Sequence, residues 1–190
     1  MEKQVHIVFL GPDGSGKSSI INKIKKELDE NKISNKHIHL KPNFFFNKTS
    51  KPTKDPHNQL LRSNFLSFIK LIYWLILFKV FFFIEKFLKN RVLLFDRYPH
   101  DVAIDPIRYR FDLSKNLTFK ILEFFPKPHY WIIMTGNPKK IFERKKEVKL
   151  KTIINQISKY ESFAKKKTNS ILITRLEDYS LITKLIFKKK

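Results

Sequence analysis

The chain has no cysteine and few glycines, methionines or tryptophans among its 190 residues. Without cysteine, disulfide bonds and thiolate metal sites are excluded, so the core must hold the fold together. Acidic residues are also scarce: 17 Asp and Glu stand against 39 Lys and Arg, and the formal net charge is +22. Because 42% of the residues are apolar, the composition predicts a single folded domain over residues 1–190.

No uncharged apolar run reaches the roughly 20 residues that a membrane span needs. Residues 65–88 come nearest, but Lys70, Lys79 and Glu85 divide them into shorter runs. We therefore expect a long core helix, partly available for a homodimer, rather than a transmembrane helix. Peripheral membrane contact stays open as an alternative, because apolar and basic groups lie together there. The first apolar strand, residues 5–10, is too short for a signal-peptide h-region, which predicts a cytoplasmic protein.

The positive charge has two interpretations. A strongly positive field concentrates nucleotides, nucleic acids or anionic lipids at a protein surface. The lysines, however, are spread along the chain rather than gathered in one arm, which favours a biased composition. No RNA- or DNA-binding motif is present, so a nucleic-acid partner is not expected.

Apolar strands alternate with amphipathic helices, which predicts an α/β fold with a parallel sheet between layers of helices. The predicted strands are 5–10, 37–40, 91–95, 130–135 and 170–174. The predicted helices are 18–30, 60–89, 114–124, 138–149, 151–166 and 178–188. Residues 41–58 are rich in Pro, Asn and Lys and are expected to form a loop.

The first strand leads into GPDGSGKS at residues 11–18, which matches the P-loop pattern G-x-x-x-x-G-K-[ST]. Three of the four glycines lie here and let the backbone curl until successive N–H groups point at phosphate oxygens. Lys17 is expected to reach the β- and γ-phosphates of ATP, and the Ser18 hydroxyl to hold Mg²⁺. The predicted nucleotide-binding residues are Gly11, Asp13, Gly14, Ser15, Gly16, Lys17, Ser18 and Ser19.

A carboxylate follows the third predicted strand. RVLLF ends in Asp96, which is followed by Arg97 and Tyr98. Ligands bind at the carboxyl ends of parallel strands, so this carboxylate can reach a metal ion beside the P-loop. An aspartate that only caps a turn is the alternative, and the P-loop upstream makes it the less favoured one. We therefore predict Asp96 as a second Mg²⁺ ligand.

Arginine is rare, since only seven of the 39 basic residues are Arg, and three of the seven lie at positions 97, 108 and 110. A guanidinium binds phosphate bidentately, so this segment could grip an anionic acceptor, or its arginines could only pair with nearby carboxylates. Arg144 lies on the predicted helix after strand 130–135. Its charge could stabilise a transferring phosphate, or the residue could simply belong to a solvated helix face. The predicted acceptor-binding residues are Asp13, Arg97, Asp101, Arg108 and Arg110, and the predicted catalytic residues are Lys17, Asp96, Arg97 and Arg144.

GPDGSGKS, VLLFDRY and the basic segment beginning at Arg144 together resemble the thymidylate kinase family of P-loop nucleotide kinases, from about residue 4 to residue 165. The resemblance implies a three-layer P-loop NTPase fold with a five-stranded parallel sheet. It implies a mobile lid near residues 138–150 that contains Arg144, and ATP with Mg²⁺ as the phosphate donor. It also implies that Asp13 lies near the acceptor and that Asp96 and Arg97 lie between the acceptor phosphate and the metal.

The acceptor half departs from the family pattern. Lys41-Pro42 replaces an Arg-Pro pair, and PHDVAIDPIRYR replaces a Ser-rich stretch ending in Ala-Tyr-Gln that helps to hold thymine. With Asp55-Pro56-His57 upstream, the chain looks more like a divergent branch whose members are often found among genes for surface polysaccharides. The acceptor could be dTMP, another nucleotide, or a sugar or glycan intermediate. Three phenylalanines, residues 44–46, could stack on a base or fill the core.

The favoured hypothesis is thus a kinase that transfers the γ-phosphoryl group of ATP to a small-molecule acceptor. The alternative is a binding module whose nucleotide state controls docking on a membrane or nucleic acid without phosphoryl transfer. The positive charge and the Phe-rich helix favour this second hypothesis. A GTPase is less favoured, because no Asn-Lys-x-Asp guanine-reading signature is present.

Overall fold

The computed structural model describes residues 4–40, 63–88, 91–144, 146, 148–174 and 179–189, and five parallel strands form one sheet in the order β2-β3-β1-β4-β5. The strands are β1 Val5–Leu10, β2 Asn35–His39, β3 Val92–Asp96, β4 Tyr130–Met134 and β5 Ser170–Ile173. The helices are α1 Lys17–Glu30, α2 Asn64–Glu85, α3 Asp101–Ile104, α4 Lys115–Leu122, α5 Pro138–Arg144, α6 Leu150–Lys165 and α7 Ser180–Lys189. A 3-10 turn, Ile107–Tyr109, follows α3. The predicted α/β fold with a five-stranded parallel sheet is confirmed.

β1 and β3, both in the interior of the sheet, are apolar along almost their whole length, because helices cover both faces of the sheet. Val8 and Leu10 point to one face and pack with α2, α4 and α6, whereas Ile7 and Phe9 point to the other and pack with α1 and α7. In the register of β1 and β3, Phe9 lies opposite Asp96. The loop after β1 and the carboxylate that ends β3 therefore emerge side by side.

Helix α2 buries only one of its faces. Leu71 and Phe78 are fully buried against the sheet, whereas Tyr73, Ile76 and Phe83 on the opposite side are more than half exposed. The predicted core helix is thus confirmed for one face alone. Within the described part of the chain, α2 is the single helix that is long and apolar enough to cross a membrane. One such helix is weak evidence for a membrane span, since a core helix of a soluble protein can be equally long and apolar.

The structure differs from the predicted elements mainly at their ends and in one short segment. β2 begins at Asn35 rather than at residue 37, and α1 includes Lys17. α3 and the 3-10 turn were not predicted, because elements of four and three residues are too short to show a periodic pattern. The predicted loop at 41–58 falls on residues 41–62, which lie outside the described part, and so do Lys41-Pro42, Phe44 to Phe46 and Asp55-Pro56-His57.

Candidate active site

The P-loop passes so close to β4 that only glycine fits at its first position. Gly11 has φ 151°, and a Cβ there would lie 2.2 Å from the backbone oxygen of Met134. Gly16 has φ 92° and immediately precedes α1, so the chain can turn into the helix without steric strain. The amino end of α1, with its unpaired N–H groups and positive dipole, therefore lies at the end of the P-loop, beyond the carboxyl end of β1.

Lys17 is folded into this loop. Its side chain is buried, and the Nζ atom donates hydrogen bonds to the backbone oxygens of Gly11 and Pro12, both at 2.8 Å. Burial, helped by the positive charge of Arg97, lowers the pKa of Lys17 to about 7. Ser15 Oγ is buried and has no hydrogen-bond partner among the described residues. The loop thus holds a buried cation and an unsatisfied hydroxyl, both of which suit a phosphate oxygen.

Asp96 lies next to Ser18, as predicted for a Mg²⁺ site. Ser18 Oγ lies 3.5 Å from Asp96 Oδ2, and His39 Nδ1 lies 3.5 Å from the same oxygen. The other oxygen, Asp96 Oδ1, is buried and has no partner in the described part of the chain. Burial alone would raise the pKa of Asp96, but the hydrogen bond from His39 and the charges of Lys17 and Arg97 outweigh burial and hold that pKa below its usual value.

These residues fit Mg²⁺. An ionised carboxylate with a free oxygen and a neighbouring hydroxyl are hard oxygen ligands, and Mg²⁺ prefers one or two such protein ligands together with water and phosphate oxygens. The described residues contain no group of three or more acidic or histidine side chains that could hold a metal alone. The ligand roles of Ser18 and Asp96 stay predictions, and the carboxylate oxygen left without a partner supports them. No local pattern indicated a role for His39, which approaches Asp96 because β2 lies beside β3.

Arg97 is clamped between two carboxylates. Its backbone has φ 76°, a conformation that residues other than glycine rarely adopt. Its buried guanidinium donates hydrogen bonds to Asp13 and Asp101. Burial alone would lower the pKa of Arg97, but the negative charges around it raise that pKa well above its usual value. A strained backbone and two fixed partners hold one cation between the P-loop and β3.

Asp101 lies behind Arg97 and is fully buried. It accepts hydrogen bonds from Tyr109 Oη at 2.6 Å and from Tyr160 Oη at 2.5 Å, in addition to the one from Arg97. Burial raises the pKa of both tyrosines well above 10, so the hydroxyls stay protonated and can donate. Direct contact between Asp101 and an acceptor was predicted, but its burial favours a different role, which is to hold Arg97 in position.

Arg108 also donates a hydrogen bond to Asp13, at the carboxylate oxygen that does not accept from Arg97. Burial would raise the pKa of Asp13, but the charges of Arg97, Arg108 and Lys17 outweigh burial and hold that pKa below 3.8. The recess around Asp13 is also lined by Asp105, Gln156 and Tyr160. We call Asp13, Arg97, Asp101, Arg108, Tyr109 and Tyr160 the arginine cluster.

Arg110 and Arg144 are not among the described residues that line the recess around Asp13. Arg110 is half-buried at the end of the 3-10 turn. Arg144 is exposed at the end of α5 and lines a cavity of about 250 Å³ that also contains Ser15, Gly136 and Lys140. The described structure therefore brings together the predicted residues at positions 13, 17, 18, 96, 97, 101 and 108. The lid and the acceptor role of Arg110 stay predictions.

No protein-family model and no curated protein sequence matches this chain. Solved structures do. The chain is similar to thymidylate kinase from Candida albicans, with a TM-score of 0.61 and 15% identity over 99% of this chain and 91% of that one. It is also similar to deoxyadenosine kinase from M. mycoides, solved with bound dATP, with a TM-score of 0.56 and 19% identity over 97% and 98%. The thymidylate-kinase-like fold that the motifs implied is thus confirmed.

Proposed function

We propose that this protein is an ATP-dependent phosphotransferase of the nucleoside or nucleotide kinase type. The observation that supports it most strongly is the meeting of three features at one edge of the sheet. These are a glycine-shaped P-loop with a buried Lys17, the Ser18–Asp96 pair, and the arginine cluster beside them. Two proteins of similar fold are named as kinases of this type, a thymidylate kinase and a deoxyadenosine kinase.

In this proposal the chain's own groups position the phosphates. The P-loop N–H groups and the amino end of α1 bind the β- and γ-phosphate oxygens, and the Lys17 ammonium leaves its two carbonyl partners to join them. Mg²⁺, held by Ser18 and Asp96, supplies charge neutralisation on the phosphates when it is bound. Little covalent chemistry is left to the protein, so orientation and electrostatic stabilisation carry the reaction.

The base and ribose of ATP are placed in the cavity beside Ser15. This cavity opens between the P-loop and α5, and its polar lining includes Lys140 and Arg144. Arg144 then stands at the edge of the nucleotide rather than inside the arginine cluster. From there the α5 segment could move the guanidinium toward the transferring phosphate, as proposed for a lid over residues 138–150.

The acceptor is placed on the side of Asp13 and Arg97. Asp13 suits an acceptor hydroxyl, because a carboxylate accepts hydrogen bonds, and Arg97 and Arg108 suit an acceptor phosphate. Both arginines already contact Asp13, so an anionic acceptor would have to share them. dTMP, another nucleotide, and a sugar or glycan intermediate all remain candidate acceptors for this cytoplasmic kinase.

A screen of ATP turnover tests the proposal. The purified protein is incubated with ATP and Mg²⁺ and, in turn, with nucleosides, nucleoside monophosphates, sugars and sugar phosphates, and the products are separated by chromatography. We expect a phosphorylated product with at least one acceptor class and none with Lys17→Ala. Turnover with dTMP alone would show that the altered acceptor half still selects thymine. ATP binding without a phosphorylated product from any class would contradict the proposal.

A nucleotide-dependent binding module is the second candidate function, and the net charge of +22 favours it. In that case ATP would bind to the P-loop without phosphoryl transfer. Binding to nucleic acid or to anionic vesicles would fall steeply as salt is raised. A chain that shows this salt dependence, responds to ATP and yields no phosphorylated product would be assigned to the second function.

A further inference from the structure

His39 stands at the carboxyl end of β2, next to the residues predicted to hold Mg²⁺. β2 and β3 pair in parallel, and His39 lies opposite Asp96 in their register. The Leu40 N–H donates to the backbone oxygen of Asp96 at 2.8 Å, which ties the two strand ends together. On the other side, the Arg97 N–H donates to the backbone oxygen of Phe9 at 3.0 Å. The Asp96 carboxylate therefore emerges between β2 and β1, the strand that leads into the P-loop.

The backbone fixes the position of His39. β2 ends at this residue, and the next one, Leu40, has φ 58°, a left-handed conformation that residues other than glycine rarely adopt. Strain of this kind persists only where the surrounding structure imposes it, and it gathers at binding sites. The hydrogen bond from Leu40 to Asp96 is the contact that imposes it here.

One oxygen of Asp96 has two polar neighbours at the same distance. Asp96 Oδ2 lies 3.5 Å from Ser18 Oγ and 3.5 Å from His39 Nδ1, which is the outer limit of hydrogen bonding. Bonds of about 2.1 Å at right angles place adjacent ligands of an octahedral ion roughly 3 Å apart. Both contacts are within about 0.5 Å of that spacing, so small side-chain rotations would let all three groups bind one ion.

The two side chains differ in exposure in the way that a metal ligand pair at the mouth of a site would. The Asp96 side chain is 8% exposed, and its Oδ1 has no hydrogen-bond partner among the described residues. The His39 side chain is 68% exposed, so its imidazole reaches Asp96 from the solvent side. A buried carboxylate with an unsatisfied oxygen is stabilised by a cation, and the imidazole stands where it can bind the same cation.

We propose that His39 is a third protein ligand of the metal ion, through Nδ1, beside Ser18 and Asp96. This inference rests on the proposed function, since it concerns the ion that accompanies ATP at the same site. Mg²⁺ prefers oxygen ligands, whereas first-row transition ions bind an imidazole nitrogen more readily, Co²⁺ more than Mn²⁺. The site should therefore favour these ions over Mg²⁺ more strongly than a site made of oxygen ligands alone.

Pulsed EPR of bound Mn²⁺ tests the proposal without any turnover. The full chain is frozen with ATP and less than one equivalent of Mn²⁺, without acceptor, and the spin-echo modulation is examined for a directly bound ¹⁴N nucleus. We expect this coupling, and we expect it to change to the ¹⁵N pattern in ¹⁵N-labelled protein, which excludes the adenine of ATP as its source.

Two alanine variants identify the nitrogen. His39→Ala should abolish the coupling and weaken Mn²⁺ binding to the ATP complex by about tenfold, with a smaller loss for Mg²⁺ measured by displacement of Mn²⁺. His37→Ala is the matched control, because it removes an exposed histidine of the same strand that lies opposite Leu94 rather than Asp96. It should keep the coupling and the affinity.

Three results would overturn the proposal. Mn²⁺ bound with ATP but without nitrogen coupling would show that His39 only hydrogen-bonds Asp96, and the proposed kinase would stand. Coupling that survives in His39→Ala, with folding verified by circular dichroism, would place the nitrogen ligand elsewhere. A chain that binds no Mn²⁺ in the presence of ATP would overturn this inference together with the metal site of the proposed function.

Discussion

The P-loop and the arginine cluster lie at the same edge of the sheet but are built in different ways. The P-loop is one contiguous stretch, residues 11–18, and its shape depends on backbone conformation at its glycines. The arginine cluster draws its charged and phenolic groups from four separate parts of the chain, ending with Tyr160 on α6. A local motif can be recognised in a sequence, whereas the sequence indicated Asp13, Arg97, Asp101 and Arg108 as site residues without showing how the fold pairs them.

The two regions also differ in what they contribute energetically. Lys17 donates its hydrogen bonds to two backbone oxygens of the P-loop itself, so we expect its removal to affect nucleotide binding more than folding. Asp101, in contrast, is a fully buried carboxylate whose partners include a buried cation and two tyrosines. We therefore expect substitution of Lys17 to affect mainly turnover, and substitutions in the arginine cluster, which shares Asp13 with the P-loop, to affect stability as well.

Asp101→Ala should have the largest effect on stability. It leaves the buried guanidinium of Arg97 without one of its two carboxylate partners, and breaking a buried ion pair in this way costs about 3–5 kcal/mol. Urea unfolding should show this loss, whereas Asp112→Ala, which removes an exposed carboxylate, should stay within about 0.5 kcal/mol of wild type. Equal stability of the two variants would contradict the positioning role of Asp101.

Lys17→Ala should reduce turnover by about 10²–10³-fold, because it removes a cation that stabilises the charge of the transferring phosphoryl group. Its stability should change by no more than about 1 kcal/mol. Lys26→Ala is the matched control, since Lys26 lies on the same helix with its side chain 81% exposed, and it should retain wild-type turnover. Unchanged turnover in Lys17→Ala would argue against the P-loop assignment.

Much of the fold follows directly from the sequence, and the reason is local. Four of the five strands, β1, β3, β4 and β5, are mainly apolar runs, and the P-loop motif lies directly after the first. The roles of His39 and Asp101 depend on strand order and on partners up to 59 residues away, which no local pattern contains. The sequence showed that α2 is apolar, but not that one of its faces lacks a covering element in the described structure.

Asp13 should make stability depend on pH. Its folded-state pKa lies below the usual 3.8, so its ion pairs stabilise the protein fully above about pH 5, and this stabilisation is lost as the pH falls below 4. Asp13→Asn should therefore cost about 2 kcal/mol at pH 7 and progressively less toward pH 2. Urea unfolding across this range measures the difference. A constant difference between wild type and variant would contradict the ionised pairing of Asp13 with the arginines.

Tyr160→Phe should give the smallest effect, about 1 kcal/mol, because it removes one of the hydrogen bonds that Asp101 accepts and keeps the ring in place. Tyr73→Phe is a suitable control for stability, since Tyr73 is 52% exposed on α2. Thermal unfolding of both variants makes the comparison. If the Tyr160 variant were as stable as its control, Asp101 would not depend on this hydroxyl.

Phosphorus NMR of ATP during incubation with Mg²⁺, the protein and the best acceptor from the screen tests the central claim most directly. We predict that the γ-phosphorus signal disappears and that a signal of the phosphorylated acceptor replaces it, a phosphoester for a hydroxyl acceptor or a diphosphate for a monophosphate acceptor, with no such change for Lys17→Ala. An ATP spectrum that stays unchanged with every acceptor class, or that yields only inorganic phosphate, would contradict the assignment of this chain as a phosphotransferase.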